Sequence, residues 1–217
     1  MGARIDHVVT AGTFSLDGGT WDVENNVWIV GNDDQVVLID PAHDVDAVAE
    51  AVGDREVMGI LLTHGHDDHI RAVGDARELF SAPVFLHAAD RMLWDAVFPD
   101  EAPDDEIEDG DTFEVAGVTL QALHTPGHSP GSVCFLLESD GSDDGFPEPV
   151  LFSGDTLFNG GPGATGRSYS DFPTIIESIR ERVLTLPAET RVLTGHGDPT
   201  SVGAEAPHLE EWIARGH

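Results

Sequence analysis

The chain has 217 residues, of which 40% are hydrophobic, enough for the core of one ordinary domain, and no apolar run approaches the roughly 20 residues of a membrane-spanning helix. Its 41 acidic and 10 basic residues, all of the latter arginine, give a formal net charge of −31. Such a surface repels phosphate backbones and anionic membranes, so we exclude nucleic-acid and membrane partners. The N-terminus lacks an apolar signal segment, and we expect a cytoplasmic protein.

The first half of the chain is predicted to alternate between strands and helices. A hairpin spans residues 26–39, with its turn at 31–34, and a short helix follows the capping residue Asp44. An apolar strand at 58–62 leads into residues 64–69. A helix over 70–80, a strand at 83–87 and a second helix over 88–98 come next.

The second half begins with an acid- and proline-rich loop after Pro99, to which we assign no chemistry. Three strands at 112–115, 118–124 and 132–138 precede a polar turn at 139–149 and a strand at 150–152. An amphipathic helix over 172–186, a strand and loop at 191–197 and a closing helix over 205–216 complete the chain. No linker is visible, so we predict one domain over residues 1–217.

The segment His64-Gly65-His66-Asp67-Asp68-His69 packs three imidazoles and two carboxylates into six residues. On a loop after a strand, His64 and His66 can point one way and Asp68 and His69 another, and Gly65 allows the tight backbone that this requires. Imidazole and carboxylate suit Zn²⁺, Mn²⁺ or Fe²⁺ rather than Ca²⁺ or Cu(I). The alternative, a polar loop with histidines by chance, does not account for this density of ligand types.

Three later segments place further ligand types in loops at predicted strand ends. His128 lies in the Pro- and Gly-rich stretch 125–131, Asp155 directly follows an apolar strand, and His196 lies in Thr194-Gly195-His196-Gly197. Strand ends that feed polar loops build sites at one edge of α/β sandwiches. Cys134, the only cysteine, lies in an apolar strand and is predicted to be a buried structural thiol.

Together these segments resemble the metallo-β-lactamase superfamily, whose HxHxDH signature matches residues 64–69 and whose later ligands match His128, Asp155 and His196 in order. The resemblance implies an αββα sandwich in the α/β (α+β) class, with two divalent metal ions at one edge. It implies Zn²⁺, with Fe²⁺ or Mn²⁺ as alternatives. The implied ligands are His64, His66 and His128 for one ion and Asp68, His69 and His196 for the other, with Asp155 bridging both.

The stretches 125–132 and 153–158 resemble the glyoxalase II branch in particular. The implied reaction is hydrolysis of a small-molecule thioester by a metal-bridged hydroxide, which Asp68 would help to orient as a catalytic residue. The developing oxyanion would be stabilised by one ion, so no Ser or Cys nucleophile is needed.

The Gly-rich loop after Asp155 offers Arg167 and Tyr169 as substrate-binding candidates. In the alternative interpretation, Arg167 pairs with a carboxylate and Tyr169 packs. We interpret His43 as a surface residue, although it follows a strand end. His7, His87, His124, His208 and His217 are expected to be structural or exposed, and the four tryptophans are expected to lie in the core.

Only 21 residues follow His196, so the C-terminal domain with which glyoxalase II enzymes hold glutathione carboxylates is expected to be missing. The loop 164–172 resembles actinobacterial relatives, which suggests a mycothiol thioester, with glutathione and CoA as the other carriers. Alternatives within the superfamily are a lactonase, an Fe-dependent persulfide dioxygenase and a β-lactamase; the common zinc β-lactamases lack a bridging residue like Asp155. Outside enzymes, the alternative is a metal-bound scaffold, which would be expected to have lost some ligands.

The acidic surface has two interpretations. In the first it serves solubility alone, and in the second it reflects adaptation to a salty cytoplasm, where the Debye length falls to about 3 Å at 1 M salt and self-repulsion is screened. The second interpretation predicts that stability and activity rise between low and molar KCl.

Overall fold

The computed structural model describes residues 2–139 and 145–216. Two six-stranded sheets pack face to face, and helices cover the outer face of each. The predicted αββα sandwich of the α/β class is therefore confirmed, as a single domain. Part of the predicted turn at 139–149, and His217, lie outside the described residues.

The first sheet has the strand order β1-β2-β3-β4-β5-β6. β1, β2 and β3 are joined by antiparallel pairing, whereas β3 to β6 pair in parallel. Its strands are β1 (Arg4–Leu16), β2 (Gly19–Gly31), β3 (Gln35–Ile39), β4 (Glu56–Leu61), β5 (Val84–Leu86) and β6 (Asp105–Glu106). The predicted hairpin corresponds to β2 and β3, and the apolar strand before residue 64 corresponds to β4.

The second sheet has the order β14-β13-β10-β9-β8-β7, with a parallel pair between β10 and β13. Its strands are β7 (Thr112–Val115), β8 (Val118–His124), β9 (Val133–Leu137), β10 (Val150–Gly154), β13 (Arg191–Thr194) and β14 (Thr200–Ser201). Strands β11 (Leu157–Phe158) and β12 (Gly161–Pro162) form a separate two-stranded sheet. β9 and β10 are buried throughout because a layer packs on each of their faces.

The helices are shorter than the sequence suggested. They are α1 (Val45–Val52), α2 (Asp67–Ile70), α3 (Val73–Phe80), α4 (Arg91–Val97), α5 (Phe172–Ser178), α6 (Val202–Glu205) and α7 (Leu209–Arg215). Asp44 caps α1 as predicted, with its carboxylate accepting from Ala47 N. The helix predicted over 172–186 passes from α5 into a π-helical turn at Ile179–Val183, and a 3₁₀ turn containing Pro207 separates α6 from α7.

Three clusters of buried side chains correspond to the spaces between the layers. The first joins the inner strands of the first sheet to α1, α3 and α4, and the third joins the second sheet to α5 and α7. The second lies between the sheets, where Trp28 of β2 meets Phe152 of β10 with ring centroids 6.2 Å apart. This central layer fixes the two sheets relative to each other, and thereby the loops that leave their ends.

A two-stranded ribbon projects from the first sheet. β1 and β2 pair along their whole length, but β3 pairs only with residues 28–31 of β2, so the rest of the hairpin extends beyond the sheet. Its turn places Asp17 and Gly18 at φ of 53° and 78°, the left-handed backbone of a type I′ hairpin turn. This ribbon reaches the loops that follow β4 and β13.

No helix in the described ranges is long and apolar enough to span a bilayer.

Candidate metal centre

Strand β4 delivers the chain into the first ligand loop. His64 and His66 lie in this loop, but Asp68 and His69 lie on the single helical turn of α2, which begins at Asp67 rather than after residue 69. All four side chains are buried, between 0% and 4% exposed. Gly65 has no positive φ, so a left-handed backbone is not the reason for glycine here; a Cβ there would lie 3.0 Å from Leu93 Cβ and 3.1 Å from Asp90 Cβ. Close packing against α4 and the residue before it favours glycine at this position.

The other three predicted ligands come from loops at the ends of the second sheet's strands. His128 lies between β8 and β9, Asp155 directly follows β10, and His196 follows β13. Gly154 has a φ of 47°, and a Cβ there would lie 2.4 Å from Thr63 Oγ1, so the chain turns closely against the first loop at this point. The seven predicted residues therefore converge on one edge of the sandwich.

These residues form two triads of ligand atoms. The first contains His64, His66 and His128, and the second contains Asp68, His69 and His196; within each triad the ligand atoms lie within 4.8 Å of one another. His66 Nδ1 is 2.9 Å from His128 Nε2, and His69 Nε2 is 3.2 Å from His196 Nε2.

Asp155 lies between the two triads. Its Oδ2 is 3.5 Å from His128 Nε2 and 3.4 Å from His196 Nε2, and its Oδ1 is 3.4 Å from His69 Nε2. One carboxylate is thus shared by ligands of both triads, which is the arrangement needed to bridge two ions.

The donor set suits a pair of divalent cations. His64 Nε2 and Asp155 Oδ1 are buried and have no hydrogen-bond partner within the described part of the chain. Buried polar atoms are rarely left unpaired, so such a group points to an ion or another ligand. Five imidazoles and two carboxylates are also the ligand types preferred by Zn²⁺, Fe²⁺ and Mn²⁺.

Asp40 orients one ligand of each triad. Its buried carboxylate accepts from His69 Nδ1 at 2.9 Å and from Thr63 N and Oγ1 at 2.8 and 2.5 Å. Because the Thr63 hydroxyl donates to Asp40, it can accept from His64 Nδ1, 3.1 Å away. In both imidazoles Nδ1 therefore carries a proton and donates away from the site, and Nε2 is the ring nitrogen that faces the metal position.

Two main-chain carbonyls orient further ligands in the same way. His196 Nδ1 donates to Glu24 O of the ribbon at 2.7 Å, and His128 Nδ1 donates to Ala164 O of the Gly-rich loop at 2.9 Å. The orientation of His196 thus depends on β2, and that of His128 depends on the loop that follows Asp155.

Asn25 of the ribbon contacts Asp68. Its Nδ2 donates to Asp68 Oδ2 at 3.1 Å, and its Oδ1 accepts from His43 Nε2 at 2.8 Å. His43 is thus half-buried behind Asn25, and its interpretation as a surface residue is wrong. The ribbon covers this histidine, and the sequence around residue 43 does not predict that a distant hairpin packs over it.

The local electrostatics keep His64 and His66 neutral and the carboxylates of Asp68 and Asp155 ionised. Burial lowers the pKa of His64 well below its usual value and that of His66 to about 3, and neighbouring histidines act in the same direction. Burial opposes ionisation of Asp68, but the charge of His69 and the hydrogen bond from His196 prevail and lower the pKa of Asp68 to about 2. Neutral imidazole and ionised carboxylate are the forms that bind metals.

Of the two predicted substrate-binding residues, Arg167 lies beside the first triad, whereas Tyr169 is exposed to solvent. The guanidinium of Arg167 stacks on Trp21, with Cζ 3.8 Å from the ring centroid, and lines a small cavity together with Phe14, His66 and His128. Trp21 is 39% exposed, so its assignment to the core is wrong; it lies on the ribbon, outside the sandwich. Trp28, Trp94 and Trp212 are buried as predicted.

Neither part of the alternative interpretation of this loop describes it fully. Arg167 does contribute to lowering the pKa of Asp17, but hydrogen bonds from Ser168 to Asp17 contribute more. Tyr169 is 55% exposed and does not pack in the core. These contacts tie the loop to the tip of the ribbon.

Cys134 is fully buried, and burial raises the pKa of its thiol. Its Sγ lies 3.3 Å from Thr125 Oγ1. The prediction of a structural thiol is confirmed, because a protonated thiol within the core cannot serve as a nucleophile.

Comparison with known proteins agrees with this geometry. The family model of the metallo-beta-lactamase superfamily matches residues 20–196. The chain is 34% identical over 197 residues to the probable metallo-hydrolase YqgX of Bacillus subtilis, covering 84% of this chain and 90% of that protein. It is 29% identical over 201 residues to hydroxyacylglutathione hydrolase GloC of Haemophilus influenzae, covering 85% and 86%.

Three solved structures are similar over most of their length. BLEG-1 B3 metallo-beta-lactamase has a TM-score of 0.75 at 30% identity, covering 92% of this chain and 98% of that one. TTHA1623 in a di-iron-bound form has a TM-score of 0.69 at 31% identity, covering 91% of this chain and 96% of that one. ETHE1 from Myxococcus xanthus has a TM-score of 0.70 at 27% identity, covering 95% of this chain and 89% of that one. With two ligand triads at the sandwich edge, these matches show that the chain belongs to the metallo-β-lactamase superfamily and has the site of a metal-dependent hydrolase-type enzyme.

Proposed function

We propose that the chain hydrolyses a thioester of a low-molecular-weight thiol at a pair of divalent metal ions, as a glyoxalase II-like enzyme. The observation that carries the proposal is the position of Asp155, whose carboxylate contacts ligands of both triads. In this proposal His64, His66 and His128 hold one ion, Asp68, His69 and His196 hold the other, and Asp155 bridges them.

Two bound ions would supply Lewis acidity, which polarises an acyl carbonyl and lowers the pKa of a water molecule towards neutrality. The chain's own residues then orient the reactants. Asp68, fixed by Asn25 at 3.1 Å, keeps one carboxylate oxygen for a proton of the attacking water. The buried walls around the first triad exclude bulk solvent, which strengthens these interactions.

Arg167 and Tyr169 are proposed to contact the substrate. Stacking on Trp21 occupies the face of the guanidinium but leaves its N–H groups, which lie in the plane, free to donate to a polar part of the thiol carrier. Tyr169 is exposed on the same loop, so it is proposed to contact a bound ligand from the solvent side.

Two considerations favour a thioester. The relative GloC is named a hydroxyacylglutathione hydrolase, so it acts on a thioester, and the site needs no side-chain nucleophile, which agrees with the burial of Cys134. A thiolate is also a better leaving group than an alkoxide. We propose a cytoplasmic enzyme for a small-molecule substrate, without nucleic-acid or membrane partners, and a mycothiol, glutathione or CoA carrier. Zn²⁺ is the proposed metal; the di-iron form of TTHA1623 is the reason to test Fe²⁺ beside it.

A substrate panel with defined metal content tests the proposal. Apo protein would be loaded with Zn²⁺, Fe²⁺ or Mn²⁺, the bound metal counted by elemental analysis, and thiol release followed from acyl thioesters of glutathione, CoA and mycothiol. The same samples would be given a lactone, nitrocefin and a persulfide under oxygen-uptake measurement, with Asp155→Asn as the variant lacking the bridging carboxylate. We expect two ions per chain and kcat/KM above about 10⁴ M⁻¹s⁻¹ for at least one thioester.

The panel separates the alternatives. Turnover of a lactone or nitrocefin without thioester hydrolysis would replace the proposed substrate class but keep the metal pair. Oxygen uptake with one Fe²⁺ per chain would refute both the thioester substrate and the metal pair. Equal rates in the wild type and Asp155→Asn would show that the activity does not come from this site.

A further inference from the structure

Asp90 is a completely buried carboxylate outside the predicted site. It ends the 3₁₀ turn Ala88–Asp90 and precedes α4, and its side chain is 0% exposed. A buried carboxylate needs partners, because an unpaired charge away from water is very unfavourable. The identity of those partners indicates what this residue does.

The three donors to Asp90 come from the two loops that carry the first triad. Gly65 N donates to Oδ2 at 2.8 Å, Ser129 Oγ donates to the same oxygen at 2.6 Å, and Gly131 N donates to Oδ1 at 2.6 Å. Gly65 lies between His64 and His66, and Ser129 directly follows His128.

Both loops also press closely on this side chain. A Cβ at Gly131 would lie 2.7 Å from Asp90 Cγ, and one at Gly65 would lie 3.1 Å from Asp90 Cβ. Real Cβ atoms essentially never approach other heavy atoms within 3.0 Å, so glycine at 131 is required by the carboxylate itself. Asp90 therefore fills the space between the loops and joins their main chains.

The second triad is held by other groups. Asp40 orients His69, Asn25 contacts Asp68, and Glu24 O orients His196. The hydrogen bonds that Asp90 makes within the described ranges all lead to the loops of the first triad. A change at Asp90 should therefore affect one metal position and spare the other.

We propose that Asp90 is a positioning residue that sets the separation between the His64–His66 loop and the His128 loop, and thereby determines metal affinity at the first triad alone. It acts through the loops and touches neither substrate nor metal. The inference rests on the metal-binding part of the proposed function and is independent of the substrate.

Asp90→Asn tests this role with almost no change in shape. An amide has one acceptor oxygen and one NH₂ donor, so its NH₂ group must face Gly131 N or the Gly65–Ser129 pair, both of which also donate. One loop must then shift or lose its hydrogen bond. Loss of such an outer partner typically lowers metal affinity 10- to 100-fold.

The experiment is a titration of apo protein with Co²⁺, read from its d–d absorption bands, and with Zn²⁺ against a competing chelator. His66→Ala and His69→Ala define the signatures of an impaired first and second position. Asp104→Asn is the matched control, since Asp104 also accepts a main-chain N–H, from Val84 at 2.9 Å, outside the centre. Unfolding of each apo variant in denaturant measures the purely structural effect.

We expect Asp90→Asn to lower the affinity for the first ion about 10- to 100-fold, with the spectral signature of His66→Ala. The affinity for the second ion should stay within about twofold of the wild-type value. Ser129→Ala removes one of the three hydrogen bonds, folds more readily, and should weaken the same ion by about tenfold or less.

An equal fall in the affinity for both ions would overturn the proposal. A lower free energy of unfolding with both affinities unchanged would also overturn it, and would leave Asp90 a structural residue. Should Asp90→Asn fail to fold, unchanged affinities in Ser129→Ala would overturn it equally. A wild-type chain that binds only one ion would refute the proposed metal pair itself, which is a distinct result.

Discussion

The hydrogen bonds of Asp40 allow a quantitative prediction for Asp40→Asn. The best orientation of the amide keeps its oxygen on the Thr63 hydroxyl and His69 Nδ1, which leaves the NH₂ group facing Thr63 N. An orphaned buried N–H costs about 1–3 kcal/mol, and each hydrogen bond that loses its charged acceptor weakens by about 1 kcal/mol. We therefore expect the free energy of unfolding of the apo protein to fall by about 3–5 kcal/mol.

That loss is large compared with the 5–15 kcal/mol of a typical domain, so urea unfolding at two temperatures should detect it easily. The second consequence is at the metal. With its Nδ1 proton held by a neutral amide, His69 becomes a weaker ligand, and the second ion should bind about 10- to 100-fold less tightly, or about 1.4–2.7 kcal/mol.

A comparison of Asp40→Asn with Asp90→Asn makes this prediction stricter, because Asp40→Asn should weaken binding of the second ion more than that of the first, whereas Asp90→Asn should leave binding of the second ion unchanged. Chelator competition would measure both affinities in each variant, with Asp104→Asn as the control. If Asp40→Asn bound its second ion as tightly as wild type, the inferred link between the Asp40 carboxylate and the basicity of His69 would be wrong.

Four further predictions address the site, the loop and the surface. Asp155→Ala should lower the affinity for both ions by about 100-fold or more, since it removes the proposed ligand shared by the triads. Elemental analysis after dialysis would show the loss of metal, and retention of two ions would contradict the bridging role. Arg167→Ala should raise KM about 10-fold with little change in kcat, as expected for lost uniform binding, whereas a fall in kcat alone would place Arg167 in the chemical step. Burial and the neighbouring His124 lower the pKa of His87 in the folded state, so the stability that neutral His87 contributes should be lost as the pH falls below about 6.5. The variant His87→Asn can still cap the turn, and its free energy of unfolding, measured in denaturant, should fall less between pH 7 and 5 than that of the wild type. An identical fall in both proteins would exclude this role of His87. Finally, if the acidic surface reflects adaptation to high salt, Tm and activity should rise from low to molar KCl, and a flat or falling Tm would favour solubility alone.

The metal-ligand residues could be predicted because each is a ligand type that stands in a loop directly after or close to a recognisable strand. Strand β4 and the run of histidines and aspartates after it could be recognised together, as could Asp155 after β10. The ribbon could have been predicted too, since Asp17-Gly18 between alternating residues is a strong hairpin signal.

The supporting residues could not be predicted in the same way. Asp40 bonds His69, Asn25 bonds Asp68, and Asp90 bonds Gly65 and Ser129, and these partners lie 25 to 43 positions away in the sequence. An aspartate before proline or after alanine looks like a turn or a helix cap. Only tertiary packing reveals which main-chain N–H groups it meets, and only packing shows that Gly65 is confined by Leu93 and Asp90 and not by a positive φ.

The bond from His196 to Glu24 O joins residues 172 positions apart. During synthesis the ribbon is made well before the imidazole that it orients. The second triad is therefore complete only after residue 196 has been made, and closure of so long a loop is a late and entropically unfavourable step of folding. Uptake of the second ion would follow this closure, so metal binding at that position would report the docking of the ribbon against the loop after β13.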